Sequence, residues 1–245
     1  MVSGVGFWAK ALDFSGFLAA IFVGAAIFWG AGFYGAAVLI FFFLTGSVLA
    51  RLPSKIEFPG KKAKRDWKQV LANGLWAAIL ALLYGFKNDE IYYLACVSTL
   101  AVACADTVGG EIGLRRAKKT ISLANLRTIP PGLSGGVSLA GTIAGLIGAV
   151  LLGMVGVFSR RWDLLLSLKL IALISLIGFL GSLFDSVLGA WLQAKYRCSV
   201  CKSMLEVPVH CGRPTLLSSG LGFLGNDRVN FLATLFGALM ALILF

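Results

Sequence analysis

Residues 101–138, AVACADTVGGEIGLRRAKKTISLANLRTIPPGLSGGVS, join two hydrophobic runs of the chain through a polar segment. Asp106 lies where the first run ends, and Glu111 follows it. Carboxylates can hold a hard cation such as Mg²⁺, and basic groups with exposed backbone N–H groups can hold phosphates. The stretch therefore predicts phosphate chemistry at the end of two membrane helices. A turn rich in Pro and Gly precedes the second run, and five basic residues precede that turn: Arg115, Arg116, Lys118, Lys119 and Arg127.

The basic residues of this stretch have an alternative explanation. Loops between membrane helices are often basic because positive charge stays in the cytoplasm. Asp106 is less easily explained in this way, because an acid at the end of an apolar helix is costly without a partner. Such acids are candidates for function.

The composition predicts an all-α, polytopic membrane protein. The chain has 245 residues, of which 58% are hydrophobic and 13% charged, and its mean hydropathy is +0.88. A soluble domain carries about 25% charged residues. No cleavable signal peptide is expected. The net charge of +11 favours anionic lipids and anionic substrates. Nucleic-acid binding is disfavoured, because the basic residues are dispersed among hydrophobic runs.

The hydrophobic runs predict about seven membrane spans, each near the ~20 residues that cross a bilayer. With a cytoplasmic N-terminus, 18 of the 22 Lys and Arg residues fall in cytoplasmic segments, as the positive-inside rule requires. Residues 1–245 are therefore predicted to form one transmembrane catalytic domain whose active site faces the cytoplasm. The predicted spans are 14–30, 33–50, 69–86, 91–108, 137–157, 166–190 and 229–245.

Segment 191–228, between the last two spans, is long enough for a small cytoplasmic element. Cys198 and Cys201 have C-x-x-C spacing, and His210 and Cys211 follow. Because disulfides are rare in the cytoplasm, this pattern predicts a structural Zn²⁺ site closed by four protein ligands. The alternative is a loop with four unligated residues.

Four acids lie at or near the predicted cytoplasmic ends of spans, namely Asp106, Glu111, Asp185 and Asp227. Their convergence predicts one or two Mg²⁺ ions that bridge nucleotide phosphates. Some polar residues have alternatives: Asn226 or Asp227 could cap the last helix, and Asn73 could hydrogen-bond between helices. The chain has neither a GxxxxGK[ST] P-loop nor a G-x-G-x-x-G fingerprint, so a known soluble kinase fold is not indicated.

Several motifs together resemble one family. They are RDWKQVLANG (65–74), ADTVGGEIG (105–113), RTIPPGLSGGVS (127–138), SLFDSVLGAWLQ (182–193), the Cys/His segment and NDRVNFLAT (226–234). The sequence is similar to the integral-membrane family typified by phytyl phosphate kinase of tocopherol synthesis, with its archaeal and bacterial relatives and vertebrate transmembrane protein nineteen. A more distant similarity is to CDP-diacylglycerol synthases and dolichol kinases.

The resemblance implies a prenyl phosphate kinase of isoprenoid metabolism. It would transfer the γ-phosphoryl group of CTP or ATP to phytyl or geranylgeranyl monophosphate. Asp106, Asp185 and Asp227 would hold Mg²⁺, with Glu111 as a fourth catalytic acid. The implied nucleotide and phosphate contacts are Arg65, Asn73, Lys119, Thr120, Arg127, Pro131, Gly132, Ser134, Gly135, Gly136, Ser138, Asn226 and Asn230.

Other functions stay open at this point. A CTP-dependent cytidylyltransferase or a polyprenol kinase would use the same groups on a membrane lipid. A lipid transporter is disfavoured, because transporters often show internal repeats and midplane charges, whereas here the acids cluster towards one face. Stripes of small residues permit a homodimer without requiring one.

Overall fold

The fold was determined from a computed structural model, which describes residues 11–54, 64–158, 160 and 162–245. Residues 55–63, which are half of the polar segment 51–68, lie outside these ranges, as do the N-terminal residues 1–10 and Arg161. The predicted orientation relied in part on the Lys and Arg residues at these positions. Within the described ranges the chain is mainly helical, and six helices are long and apolar enough to cross a membrane. They are α1 (Phe14–Arg51), α2 (Trp67–Lys87), α3 (Glu90–Arg116), α4 (Leu139–Phe158), α5 (Leu164–Trp191) and α6 (Asn226–Leu244).

Helix α1 combines the first two predicted spans, so the described residues contain six such helices where about seven spans were predicted. Its backbone leaves the helical region at Gly32 (φ 61°, ψ −153°). A Cβ on Gly16 would lie 2.2 Å from the Arg65 carbonyl oxygen, and a Cβ on Gly46 would lie 2.5 Å from the Arg65 guanidinium. Residues this far apart in a straight helix would be separated by ~45 Å. The chain therefore reverses at Gly32, and the crossing of a membrane by both halves stays a prediction.

Helix α3 is the centre of the bundle. In its most apolar window 78% of the residues are buried, against at most 44% in any other of these helices. The sequence explains this position, because small residues such as Ala95, Ala101 and Ala105 leave room for neighbours on every side. Cys96 and Cys104 are buried there too, as expected for packing residues.

Helix α3 also extends further than its predicted span, which was expected to end at residue 108. It continues through Gly109 and Gly110 to Arg116, so Glu111 and Arg115 are helical and do not lie in a loop. Glycine in a helix costs roughly 1 kcal/mol relative to alanine. Close packing offsets this cost, since a Cβ on Gly109 would lie 3.0 Å from the Gly141 carbonyl oxygen of α4.

The segments between the later helices contain short antiparallel strands. Strands β1 (Ile121–Ser122) and β2 (Gly136–Val137) pair between α3 and α4. The segment between α5 and α6 forms a three-stranded sheet in the order β4-β3-β7 and a separate hairpin of β5 and β6. These strands are β3 (Lys195–Arg197), β4 (Met204–Leu205), β5 (Val209–His210), β6 (Arg213–Pro214) and β7 (Leu216–Ser219).

Candidate functional site

A cavity of about 770 Å³ opens at one end of the bundle. It is lined by the C-terminal ends of α1, α3 and α5 and by the N-terminal ends of α2, α4 and α6. The positive dipole ends of α2, α4 and α6 lie at this end of the bundle, which favours anions. Most of the predicted site residues meet here: Arg65, Asn73, Asp106, Glu111, Thr120, Gly132, Ser134, Gly135, Gly136, Ser138, Asp185, Asn226, Asp227 and Asn230.

Three aspartates from three helices face this cavity: Asp106 of α3, Asp185 of α5 and Asp227 of α6. Asp185 lies within electrostatic range of Asp106. When the Asn230 amide is oriented to match its neighbours, its nitrogen lies 2.9 Å from Asp185 Oδ2 and donates to it. Carboxylate oxygens are suitable Mg²⁺ ligands, and Mg²⁺ is usually held by one or two carboxylates together with substrate phosphates. Asp106 and Asp185 therefore offer the one or two carboxylates that the predicted ion needs, although the three aspartates do not form a cluster of three closely spaced ligand atoms.

The start of α6 leaves Asp227 and Asn226 inside the helix. The N-cap is Gly225, which makes no side-chain capping bond. The capping alternative for Asn226 and Asp227 is therefore wrong. Asp227 and Asn230 lie three residues apart on one helical face, and both line the cavity.

Glu111 lines the cavity, but its carboxylate forms an ion pair with Arg115. Arg115 also donates to the Leu52 carbonyl oxygen beyond the end of α1, at 3.0 and 3.1 Å. The pair thus ties α3 to the end of α1. This contact favours a structural role for Glu111 over the predicted catalytic one.

The turn between β1 and α4 forms one wall of the cavity. Gly132 and Gly135 have φ values of +93° and +78°, which side chains rarely adopt. A Cβ on Gly135 would also lie 2.2 Å from Ala190 Cα of α5. Ser138 Oγ accepts a hydrogen bond from Gly141 N at 3.2 Å at the start of α4. The sequence folds this way because only glycine permits both the conformation and the close contact.

Three predicted phosphate contacts do not line the cavity: Lys119, Arg127 and Pro131. The side chains of Lys119 and Arg127 are exposed. Ser122 N donates to the Arg127 carbonyl oxygen at 2.9 Å, and Leu126 N donates to that of Ser122 at 2.8 Å. These bonds close a small separate turn, and Arg127 in this turn does not line the cavity that the aspartates line. The sequence therefore predicted more basic phosphate contacts than the cavity contains.

Arg65, Gln69 and Asn73 form a polar face at the beginning of α2, at the four-residue spacing of one helical face. Asn73 Nδ2 donates to the Gln69 carbonyl oxygen at 2.9 Å, within its own helix. Gln69 Oε1 is buried without a hydrogen-bond partner among the described residues, as is Ser47 Oγ across the cavity. Burial lowers the pKa of Arg65, and the charge of Glu111 opposes this shift. Arginine nevertheless stays protonated, so this face carries positive charge.

Glu206 is a cavity residue that the sequence analysis missed. It lies just after β4, in the segment between α5 and α6, and reaches back to the glycine-rich turn. Ser134 N donates to Glu206 Oε1 at 2.6 Å, and Gln193 Nε2 donates to Glu206 Oε2 at 2.9 Å. Burial raises the pKa of Glu206, and the hydrogen bond from Ser134 opposes the rise. One signal was available: Glu206 is the only acid between Asp185 and Asp227.

The predicted zinc ligands converge outside the cavity. The ligand atoms of Cys198, Cys201, His210 and Cys211 all lie within 4.8 Å of one another, and no other such group of three or more occurs in the described ranges. His210 Nδ1 lies 3.5 Å from Cys201 Sγ and 3.3 Å from Cys211 Sγ. Backbone N–H groups of Cys201 and Val200 lower the pKa of Cys198 to about 7. Three thiols and one imidazole are a donor set that suits tetrahedral Zn²⁺.

Comparison with known proteins identifies relatives over most of the chain. An uncharacterised membrane protein of Methanocaldococcus jannaschii is 27% identical, across 97% of this chain and 87% of the relative. Protein PGR of Arabidopsis thaliana is 31% identical, across 92% of this chain and 86% of the relative. The chloroplastic protein VTE6 of Arabidopsis thaliana is 24% identical, across 95% of this chain and 65% of the relative. No solved structure matches.

A family model adds to these relatives. The model for the integral membrane protein family DUF92 matches residues 1–238. The match confirms both the multi-pass membrane class and the family resemblance of the motifs. This chain is therefore a member of the DUF92 family of integral membrane proteins.

Proposed function

We propose that this protein is a prenyl phosphate kinase that transfers the γ-phosphoryl group of a nucleoside triphosphate to a prenyl monophosphate. The observation that carries the proposal is the meeting of three aspartates, a half-buried arginine and a glycine-rich turn in one cavity at a bundle end. These groups complement two sets of phosphates and a divalent cation. The lipid acceptor follows from the family resemblance and from the membrane location.

The three aspartates, Asp106, Asp185 and Asp227, would hold Mg²⁺ together with the nucleotide phosphates. When bound, this ion offsets the negative charge that the two phosphate groups bring together. Asn230 holds the Asp185 carboxylate by its hydrogen bond. Asp106 and Asp227 approach from the other two helices, so the ion and the nucleotide would be held between α3, α5 and α6.

The remaining cavity groups would bind and orient the two phosphates. Arg65 supplies a half-buried positive charge. The turn at residues 132–138 supplies backbone N–H groups other than those of Ser134 and Gly136, which are already hydrogen-bonded. An oxygen of the prenyl monophosphate attacks the γ-phosphorus while the bond to the β–γ bridging oxygen breaks, so that prenyl diphosphate forms and a nucleoside diphosphate leaves. The attacking oxygen is already ionised at neutral pH, and positioning and charge neutralisation suffice without a strong base.

The cavity is proposed to face the cytoplasm. The described basic residues Arg51, Arg65, Arg115 and Arg116 all lie at the bundle end that contains it. The positive-inside rule places such an end in the cytoplasm. Nucleotide can reach a cavity at this surface from water, while a lipid acceptor stays within the bilayer.

A direct assay tests the reaction. Purified protein in detergent would receive Mg²⁺, geranylgeranyl or phytyl monophosphate, and CTP or ATP in separate reactions. We expect prenyl diphosphate and a nucleoside diphosphate in equal amounts. Release of inorganic diphosphate with a CDP-lipid would instead identify a cytidylyltransferase. No product with any of these acceptors, from protein that elutes as a single folded species, would overturn the proposal.

The Cys/His segment is proposed to hold one structural Zn²⁺. The convergence of four ligand atoms supports this, and four protein ligands leave no open position for catalysis. The segment also carries Glu206, which contacts the glycine-rich turn. The ion would therefore stabilise the element that brings Glu206 to the cavity.

A further inference from the structure

A second cavity, of about 640 Å³, lies between the two halves of α1 and the beginning of α2. Its volume falls within the ~300–1,000 Å³ of pockets that enclose small molecules. It exists because α1 reverses at Gly32, so that its two halves enclose a space against α2. Its walls are formed by side chains such as Phe17, Ile21, Phe28 and Leu39.

This apolar cavity adjoins the polar one. Arg65, Gln69 and Asn73 line both, and they are the only polar residues among the described ones that line the apolar cavity. Gln69 Oε1 is buried there, and none of the residues that the structure describes forms a hydrogen bond with it. The two cavities therefore meet at a face that offers one positive charge and two amides. The aspartates line the polar cavity on one side of this face, and apolar side chains line the other cavity.

The apolar cavity has a polar end at Arg65 and an apolar end near Gly32. Leu12 and Phe43 lie at its Arg65 end, because Leu12 pairs with Arg65 and the Phe43 ring lies 5.7 Å below the guanidinium. Phe28 and Ala36 lie at the opposite end, next to the reversal at Gly32. A ligand with one anionic end and one long apolar end matches this arrangement.

We propose that this cavity binds the isoprenoid chain of the prenyl monophosphate, with the phosphate at Arg65, Gln69 and Asn73. The inference rests on the proposed function and adds to it the basis of chain-length selection. The apolar chain then lies against this apolar lining while its phosphate reaches the polar cavity. Residues near the reversal, Ala36 among them, then limit the length of chain that fits.

The test adds bulk at the far end of the cavity. Ala36→Phe is expected to raise the KM for geranylgeranyl monophosphate by roughly tenfold or more, the scale on which apolar pockets discriminate chain size. The shorter geranyl monophosphate should keep its kinetic constants, because the Arg65 end is untouched. Ala37→Phe is the matched control: Ala37 is the next residue of the same helix, is exposed and does not line the cavity. It should behave as the unmodified protein. Equal KM values for the long acceptor in both variants would overturn the inference.

A binding experiment separates this inference from the proposed reaction. A prenyl monophosphate with a photoreactive diazirine at the end of its chain would be cross-linked to the unmodified protein, and the peptides mapped by mass spectrometry. We expect labelling in α1 near Phe28 and Ala36, without any need for turnover. Labelling there in a protein that phosphorylates no prenyl phosphate would support prenyl-chain binding in the apolar cavity and would contradict the proposed kinase activity. Turnover with labelling confined to other helices would contradict prenyl-chain binding in the apolar cavity and leave the proposed kinase activity standing. This result does not depend on whether Ala36→Phe folds, because the cross-linking uses the unmodified protein.

Discussion

Asp89 caps the start of α3, whereas Asp106 lies in the C-terminal half of the same helix, in different surroundings. Asp89 is an exposed N-cap that accepts a hydrogen bond from Ile91 N at 3.1 Å. Asp106 is half-buried, lines the polar cavity and lies within electrostatic range of Asp185. The same residue type therefore caps the start of the helix in one place and is proposed to serve catalysis in the other.

This difference gives a paired prediction. Asp106→Asn removes a carboxylate from the proposed ion site and should lower prenyl diphosphate formation on the order of 100-fold, as loss of metal-site contacts does. Asp89→Asn should leave the rate unchanged, since asparagine caps helices about as well as aspartate. The measurement is the initial rate of diphosphate formation at saturating Mg²⁺. An Asp106→Asn variant as active as Asp89→Asn would exclude Asp106 from the chemistry.

Glu206 gives a second prediction, as a positioning residue. It accepts hydrogen bonds from Ser134 N and Gln193 Nε2, so Glu206→Ala should loosen the glycine-rich turn and lower kcat by roughly 10–100-fold. Glu206→Gln keeps an oxygen that can accept from Ser134 N and should restore most of the rate. The measurement is kcat for both variants and for the unmodified protein. Equal loss in the alanine and glutamine variants would show that the charge itself is needed, and no loss in either would remove Glu206 from the site.

At the scale of elements, the segment between α5 and α6 holds the Cys/His cluster and Glu206 in one small β structure. The β5–β6 hairpin presents His210 and Cys211 to the C-x-x-C turn that follows β3. Glu206 lies between β4 and β5 and contacts the turn before α4. A metal at the Cys/His cluster would thus act on the cavity through the placement of Glu206.

The metal prediction is specific in stoichiometry. Purified protein should contain about one zinc per chain by elemental analysis, the content of a single closed site. Cys201→Ser should lose the zinc and lower the melting temperature. Cys96→Ala, which alters a cysteine buried in α3 outside the cluster, should keep the zinc. Removal of zinc by a chelator should lower kcat for the unmodified protein more than for Glu206→Ala, in which the contact is already lost. Zinc-free protein of normal stability and activity would contradict the structural role.

The glycine-rich turn and α3 show where local patterns mislead. The predicted span ended at residue 108, yet α3 continues to Arg116, because close packing of Gly109 on α4 compensates its poor helix propensity. Arg127 is close in sequence to the turn but is held in a separate small turn. Both differences arise from contacts that a window of sequence does not contain.

For the whole molecule, the reversal at Gly32 determines the membrane topology. If both halves of α1 cross the bilayer, the chain crosses an odd number of times. Epitope tags at residue 1 and at residue 245 should then be accessible from opposite faces of sealed vesicles, with the N-terminal tag on the cytoplasmic face. Accessibility of both tags from one face would show an even number of crossings. A tag inserted between Lys202 and Ser203, in the segment between α5 and α6, serves as the internal control and should share the face of the N-terminal tag.

The sequence by itself determined the membrane class, the approximate positions of the helices and the accumulation of acids at one end. Apolar runs of membrane length and their charged flanks are local properties, and alternating helix directions bring Asp106, Asp185 and Asp227 to one end. The spacing of the cysteines and His210 indicated their cluster for the same reason.

The tertiary structure alone decided which of the polar groups share the cavity. The hydrogen bond from Ser134 to Glu206 joins residues 72 positions apart, and no periodicity in the chain marks it. The same holds for the Arg115 contact with Leu52, the exclusion of Arg127 and the apolar cavity created by the reversal at Gly32. Side chains from distant segments meet only when the helices pack, so the composition of a site between helices depends on packing geometry.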